Sequence, residues 1–246
     1  MTHAKTHILV TGASRGIGRA TLDSFDPESV RAIGQSTSGE NGLLKSDFTQ
    51  PDQVALLWEN ALEQMDGRID VLVNNAGIFD PNPIAENGDD WLESWNRTMQ
   101  INLTASAQLC RLAVLHFQNG GGDNDGSDRG GRIVNIASRA AYRGDGPDYW
   151  HYAASKGGMV AMTKSIARGY AHEGILAFAI CPGFTMTDIA EEYLESRGGD
   201  KLLQDIPLGR VAQPEEIASM ARYCALEAPA SMTGAVLDAN GASFVR

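Results

Sequence analysis

Cysteine is scarce: Cys110, Cys181 and Cys224 are the only three in 246 residues, far apart and with no CxxC pair. A scattered odd number excludes a disulfide framework and a cysteine-rich zinc site, and makes a reducing compartment the expectation. No run approaches the ~18 consecutive apolar residues that a membrane span requires. The segment from Met1 to His7 passes straight into an apolar triplet without a signal-peptide core. Basic residues are also in the minority, with 20 Lys and Arg against 31 Asp and Glu for a net charge of −11. That balance excludes nucleic acid, whose phosphates need a basic face, and an anionic membrane surface. What remains is a soluble, cytoplasmic protein with small-molecule partners.

Apolar residues make up 43% of the chain, and a chain of this length buries roughly 70–75% of its unfolded surface without staples. Short aliphatic runs over residues 7–11, 30–34, 43–46, 69–74, 132–136, 176–181 and 235–239 end near Gly, Asn, Asp or Ser. They read as strands buried on both faces. Amphipathic segments over residues 16–25, 51–65, 89–117, 152–172 and 214–226 alternate with them, two opening on Pro51 and Pro214, where a first-turn proline is tolerated. This alternation predicts one doubly wound α/β domain over residues 1–246: a parallel, seven-stranded sheet with right-handed crossovers and helices on both faces. The stretch between residues 34 and 43 is too short for a crossover helix. Residues 118–131, rich in Gly and Asp, read as a flexible surface loop.

Thr11-Gly-Ala-Ser-Arg-Gly-Ile-Gly18 joins the first strand to the first helix. Gly12, Gly16 and Gly18 permit a tight turn, and with Ser14, Arg15 and Ile17 bring backbone N–H groups toward a pyrophosphate at the positive end of a helix. Ordinary turns use the same residues, so position between strand and helix is what makes the motif informative.

With four further motifs in order, the chain resembles the short-chain dehydrogenase/reductase family. They are Asn74-Asn-Ala-Gly77 after the fourth strand, Asn102 in the following helix, Ser138 after the fifth strand with Tyr152-Ala-Ala-Ser-Lys156 opening the next helix, and Pro182-Gly-Phe-Thr-Met-Thr187 after the sixth. The resemblance covers essentially the whole chain. It implies a Rossmann-type fold, a nicotinamide cofactor, an oxidoreductase acting on ketone and alcohol groups, and a homodimer or homotetramer. It assigns Asp47 and Phe48 to the adenine end, Asn75, Ala76 and Gly77 to the adenine ribose, and Pro182, Gly183, Thr185 and Thr187 to the nicotinamide. An acid after the second strand usually holds the ribose of NAD. Here Gly34-Gln-Ser-Thr37 carries none before Glu40. Arg15, with Ser36 and Thr37, matches the 2′-phosphate contacts of similar NADP-dependent members, so NADP(H) is favoured and NAD(H) is the alternative.

Interconverting a ketone and a secondary alcohol takes a hydride at carbon and a proton at oxygen. Tyr152 and Lys156, at i and i+4, share a helix face. A nearby ammonium is expected to pull the phenol down toward neutral pH, making Tyr152 the acid/base; the resemblance adds that Lys156 binds the nicotinamide ribose. Ser138 would hydrogen-bond the substrate oxygen, and the resemblance implies that Asn102 anchors a water linking Lys156 to solvent in a proton relay. Taken singly, each has a plain reading: an exposed Tyr–Lys pair, a turn serine, a helix-kink asparagine. Tyr149 has no lysine one turn on, and His151 points away from the Tyr152 face. Ser138 and Tyr152 are fourteen positions apart, one more than the family's usual spacing, and the loop between them absorbs the insertion.

Residues 189–207 read as a substrate lid, with a surface helical hairpin as the plain alternative. The motif pattern is closest to 3-oxoacyl-carrier-protein reductases, for which Arg129 matches one carrier-docking position. The second departs, with Glu173 where a base is usual, and an acidic surface docks an acidic carrier poorly. A small or CoA-linked ketone or alcohol is therefore preferred as substrate. Carrier-linked reduction is the first alternative and a non-catalytic dinucleotide-binding protein the second. An excess of apolar positions at Leu103, Leu109, Leu112, Val160 and Met162 points to helix pairing between copies.

Overall fold

The computed structural model describes residues 5–122, 130–186 and 203–246. Seven strands join one parallel sheet in the order β3-β2-β1-β4-β5-β6-β7: β1 (Thr6–Val10), β2 (Val30–Ser36), β3 (Leu44–Lys45), β4 (Val71–Asn74), β5 (Gly131–Ile136), β6 (Ile175–Pro182) and β7 (Val236–Ala239). Each expected strand is present, and β2 reaches β3 without a helix, pairing Gln35 with Leu44.

The helices are α1 (Gly16–Asp23), α2 (Pro51–Gln64), α3 (Gly88–Met99), α4 (Ala105–Gln118), α5 (Ala140–Arg143), α6 (Trp150–Tyr170) and α7 (Pro214–Leu226). Side chains alternate across each strand. In β4, Leu72 faces a core shared with α2, α4 and the end of α6, while Val71 and Val73 face one built with α1 and α7. Leu72 is fully buried; cutting such a residue to alanine costs about 2–5 kcal/mol. The outcome is three layers, helix–sheet–helix, as the apolar periodicity predicts.

Two elements differ from the sequence reading. The single helix expected over residues 89–117 is broken by a π-turn at Gln100–Thr104, because the Asn102 side chain is drawn into hydrogen bonds with the end of the 74–78 segment. The loop expected after Ser138 contains α5, closed by Gly144 at φ 74°. Leu109 and Val160, read as surplus apolar positions, are buried in the chain's own core. Leu103, Leu112 and Met162 are only half-buried.

The strand order reverses between β1 and β4. Chains leaving two neighbouring strands in opposite directions open a crevice beyond their C-terminal ends, where ligands of open α/β sheets bind. The glycine turn, Asn75, Ser138 and Pro182 lie at or just after C-terminal strand ends, and Asn102, Tyr152 and Lys156 lie on helical segments facing them.

Candidate active site

The turn after β1 is held on both sides. The Gly12 amide donates to Gln35 Oε1 at 2.9 Å, and Gln35 Nε2 donates to the Ser46 carbonyl at 2.7 Å. Asn75 Nδ2 donates to the Thr11 and Gly12 carbonyls, while Thr11 Oγ1 accepts from the Asn75 and Ala76 amides. Gly12 has φ +65°, and a Cβ there would sit 2.7 Å from Ala76 Cα. One on Gly18 would sit 2.1 Å from the Gly12 carbonyl oxygen. The glycines thus let the β1 and β4 turns touch backbone to backbone. At the start of α1 no side chain caps the helix and no acid occupies the first turn, so its positive end is open to an anion. Ser14 and Arg15 are exposed there, and Gly16 and Ile17 are half-buried.

At the adenine end, Ser36 is buried with its Oγ accepting from the Gly39 amide at 3.0 Å, and Thr37 is exposed. Asp47 Oδ1 accepts from the Thr49 amide and hydroxyl. Phe48 does not present its ring to the crevice: it is 5% exposed within the core, and its carbonyl accepts from Gln100 Nε2. The ring packs in the core cluster that α2 supplies with Val54, Leu57 and Trp58.

The four chemistry-bearing residues come together beyond β4, β5 and β6. The π-turn carries Asn102, whose Oδ1 accepts from the Ile78 amide at 2.8 Å and whose Nδ2 donates to the Ile78 carbonyl at 3.0 Å. π-turns of this kind recur at functional sites. Asn102 Nδ2 also reaches Ser155 Oγ at 3.3 Å, and Ser155 donates to the Tyr152 carbonyl. Gly77 faces both Asn102 and Lys156: a Cβ on it would lie 3.3 Å from Asn102 Oδ1 and 3.5 Å from Lys156 Nζ. Lys156 is buried, its Nζ donating to the Ile136 carbonyl at 2.9 Å and lying 5.9 Å from the Tyr152 ring centroid. Ser138 accepts from the Ala140 amide and is hydrogen-bonded to the Tyr152 hydroxyl.

The electrostatics differ from the sequence expectation. Burial pushes the Tyr152 phenol up to about 12, opposed first by the Ser138 hydrogen bond and then by Arg139. Lys156 is not among the leading influences on it. Burial instead pulls the Lys156 ammonium down to about 8, so in the ligand-free chain the lysine is the more strongly perturbed toward neutral pH.

Phe79 stacks on Tyr149 with ring centroids 4.1 Å apart and meets Tyr152 edge-on at 4.7 Å. Tyr149 is therefore part of the wall beside Tyr152. His151 is buried and stacks on Trp95, on another side of α6. Beyond β6, Pro182 is buried, and the Gly183 amide donates to the Ala239 carbonyl. Thr185 is buried and bridges Ala212. Thr187, Arg129 and residues 189–202 of the expected lid lie outside the described residues, as do residues 123–129 of the 118–131 loop. Glu173 is engaged by Gln118 Nε2 at 2.9 Å. Two residues not singled out from sequence stand in the site: Gln35, which clamps the glycine turn, and Arg139, buried directly after Ser138. A lone charge inside Ile136-Ala-Ser-Arg-Ala-Ala141 was the available signal for the second.

Comparison with known proteins agrees with this arrangement. A family model described as Enoyl-(Acyl carrier protein) reductase matches residues 12–241. The 3-oxoacyl-acyl-carrier-protein reductase FabG of Escherichia coli (strain K12) is 32% identical over 248 residues, covering 96% of each chain. An uncharacterized short-chain type dehydrogenase/reductase of Sinorhizobium fredii is 36% identical over 95% of this chain and 43% of its own length. Among solved structures, ligand-free aldohexose dehydrogenase of Thermoplasma acidophilum superposes with a TM-score of 0.83 at 29% identity, covering 98% of this chain and 95% of that one. With the motifs in order on a matching sheet, the chain belongs to the short-chain dehydrogenase/reductase family of NAD(P)-dependent oxidoreductases.

Proposed function

We propose that the protein reduces a ketone to a secondary alcohol with NADPH, and that the hydrogen-bonded Tyr152–Ser138 pair carries the chemistry at oxygen. A nicotinamide dinucleotide fits the chain's residues: the uncapped start of α1 receives the pyrophosphate, and the glycine turn brings backbone N–H groups to it. Once bound, the cofactor supplies the hydride. Tyr152 donates its proton to the carbonyl oxygen, Ser138 steadies the charge developing there, and solvent reprotonates the tyrosinate. A phenol held near 12 is fully protonated at neutral pH, which is the form that reduction requires. Lys156 holds the nicotinamide ribose, and its charge favours the transient phenolate. Asn102 keeps the 74–78 turn in place and anchors the proton path to Lys156.

The preference for NADP(H) rests on exposed Arg15 and Thr37 beside Ser36, with no carboxylate before Glu40. Calorimetry with NADPH against NADH tests it, and tighter NADH binding would remove Arg15 from its role. NADPH oxidation with a ketone panel tests the activity. Turnover should fall roughly 10²–10⁴-fold in Tyr152→Phe; unaltered turnover would remove Tyr152 from the mechanism and leave a non-catalytic nucleotide-binding protein.

For substrate we favour a small or CoA-linked carbonyl compound. The relatives named as 3-oxoacyl-carrier-protein reductases support a second reading, reduction of a carrier-bound oxoacyl group. The net charge of −11 opposes docking of an acidic carrier, and Glu173 turns its carboxylate to Gln118. Rates with carrier-bound against free β-ketoesters decide between them. Half-buried Leu103, Leu112 and Met162 with exposed Leu115 support pairing of α4 and α6 between copies, as a dimer or tetramer. A monomeric mass in solution would overturn that.

A further inference from the structure

We propose that Arg139 anchors a carboxylate carried by the substrate, so that the carbonyl compound reduced at Tyr152 is a short oxo acid. The inference rests on the reading of Tyr152 as the acid at the carbonyl oxygen and adds the class of compound that reading leaves open. Arg139 follows Ser138 at the end of β5, and its amide is fixed to the Pro182 carbonyl at the end of β6, 2.9 Å away. The residue is 5% exposed, and its Nη1 is buried with no hydrogen-bond partner among the described residues. Among the described residues no carboxylate is recorded in an ion pair with it.

A guanidinium stays charged at any working pH. Buried without an anion it pays a desolvation penalty, and a fold keeps such a group where a ligand completes it. The head lies at the catalytic end: Cζ sits 5.0 Å over the Phe184 ring, in the turn after β6, and the charge acts on the Tyr152 hydroxyl. A group held by Tyr152 and Ser138 at its carbonyl oxygen therefore presents a neighbouring substituent to Arg139. The planar fork of donors matches a carboxylate, which it binds with two parallel hydrogen bonds.

The surroundings favour a single negative charge over a phosphate dianion. Among its charged neighbours Arg143 acts most strongly on the guanidinium, followed by Asp205 and Asp145. Neither carboxylate satisfies it: Asp145 Oδ1 accepts from the Gly146 amide, and Asp205 is paired with Arg143 at 2.8 Å. One monoanion balances Arg139; the Arg143–Asp205 pair is neutral as a unit, so a second negative charge meets the remaining carboxylate of Asp145. A thioester of CoA or carrier protein has no free carboxylate beside its ketone, so this subsite selects against both and narrows the small or CoA-linked choice to the small compound.

The test measures initial rates of NADPH oxidation with 2-oxobutanoate, acetoacetate and 4-oxopentanoate, each against its methyl ester, in wild type, Arg139→Met and Arg139→Lys. Wild type should prefer at least one acid over its ester by roughly 10–100-fold in kcat/KM, the scale of a charged hydrogen-bond pair. Arg139→Met should lose that preference, the acid rate falling by that factor and the ester rate by far less, and Arg139→Lys should recover part of it. Arg139→Met exchanges an unpaired buried charge for an apolar chain of similar length, so it should melt no lower than wild type. Thermal shift with NADP⁺ and the same acids gives a readout independent of turnover: wild type should be stabilised and Arg139→Met should not. An acid-to-ester ratio near one in wild type, or equal thermal shifts in both proteins, overturns the proposal. If the esters are still reduced in a Tyr152-dependent way, only the Arg139 anchor has failed; if no carbonyl compound is reduced, the oxidoreductase reading fails separately.

Discussion

At the rim where the strands begin, charge is buried with its partners. Asp70, 1% exposed at its side chain, accepts from the His7 amide at 2.7 Å and from Arg68 Nε at 2.8 Å. Arg132 donates to the Cys224 and Ala228 carbonyls at the end of α7, where a cation complements the helix dipole. At the rim where the strands end, Lys156 is equally buried but among the described residues donates only to the Ile136 carbonyl, and Arg139 keeps a nitrogen with no partner among them. Ion pairing stabilises the first rim, while the second holds charge that a bound molecule completes. Loss of a group should therefore act on folding at one rim and on turnover at the other.

Lys156→Met should separate the two most sharply. Turnover should drop on the order of 100-fold, the scale of a positioned acid–base partner, with the fold retained or stabilised because a buried charge is gone. The pH dependence gives the sign. With the folded-state ammonium at about 8 against 10.5 for the free group, the unfolded chain binds more protons between those values. Cofactor-free wild type should then gain stability relative to Lys156→Met as pH rises from about 8 to 10.5. Parallel denaturation curves across that window would contradict it.

Asp70→Asn should do the reverse. Weakening the bonds to Arg68 and the His7 amide should cost about 2 kcal/mol in denaturant unfolding, with kcat per folded molecule unchanged. An activity loss at constant stability would break the contrast between rims.

The smallest effect is expected at His116, whose Nε2 accepts from the Ile69 amide at 3.2 Å and whose pKa is lowered by burial. A histidine with a depressed folded-state pKa contributes full stability above the unfolded value of about 6.5 and loses it as pH falls below that. Melting temperature should decline between pH 7 and 5, at a slope of at most about 1.4 kcal/mol per pH unit for this group. His116→Gln should flatten the decline, leaving the part due to His7, also lowered by burial. An unchanged slope would assign the acid sensitivity elsewhere.

Much of the fold is legible in the sequence because its signals are short-range. Alternation in Ile8-Leu9-Val10 and Val71-Leu72-Val73 marks strands covered on both faces, and Pro51 and Pro214 mark helix starts. The break in the helix after Met99 is not legible, since Asn102 leaves the regular ladder for Ile78, twenty-four residues back. Nor is the Phe48 ring, which a core assembled from several helices claims away from the crevice.

The sequence by itself determined the alternating elements, the glycine turn at the start of α1 and the order of the Asn102, Ser138, Tyr152 and Lys156 motifs. Spacing and backbone freedom are properties of neighbouring residues, and they survive without coordinates. Only the tertiary structure decided which charges find partners. Whether Asp70 is paired, the Lys156 ammonium pulled down toward neutral pH or Arg139 left waiting depends on groups brought from distant parts of the chain into a low-dielectric interior.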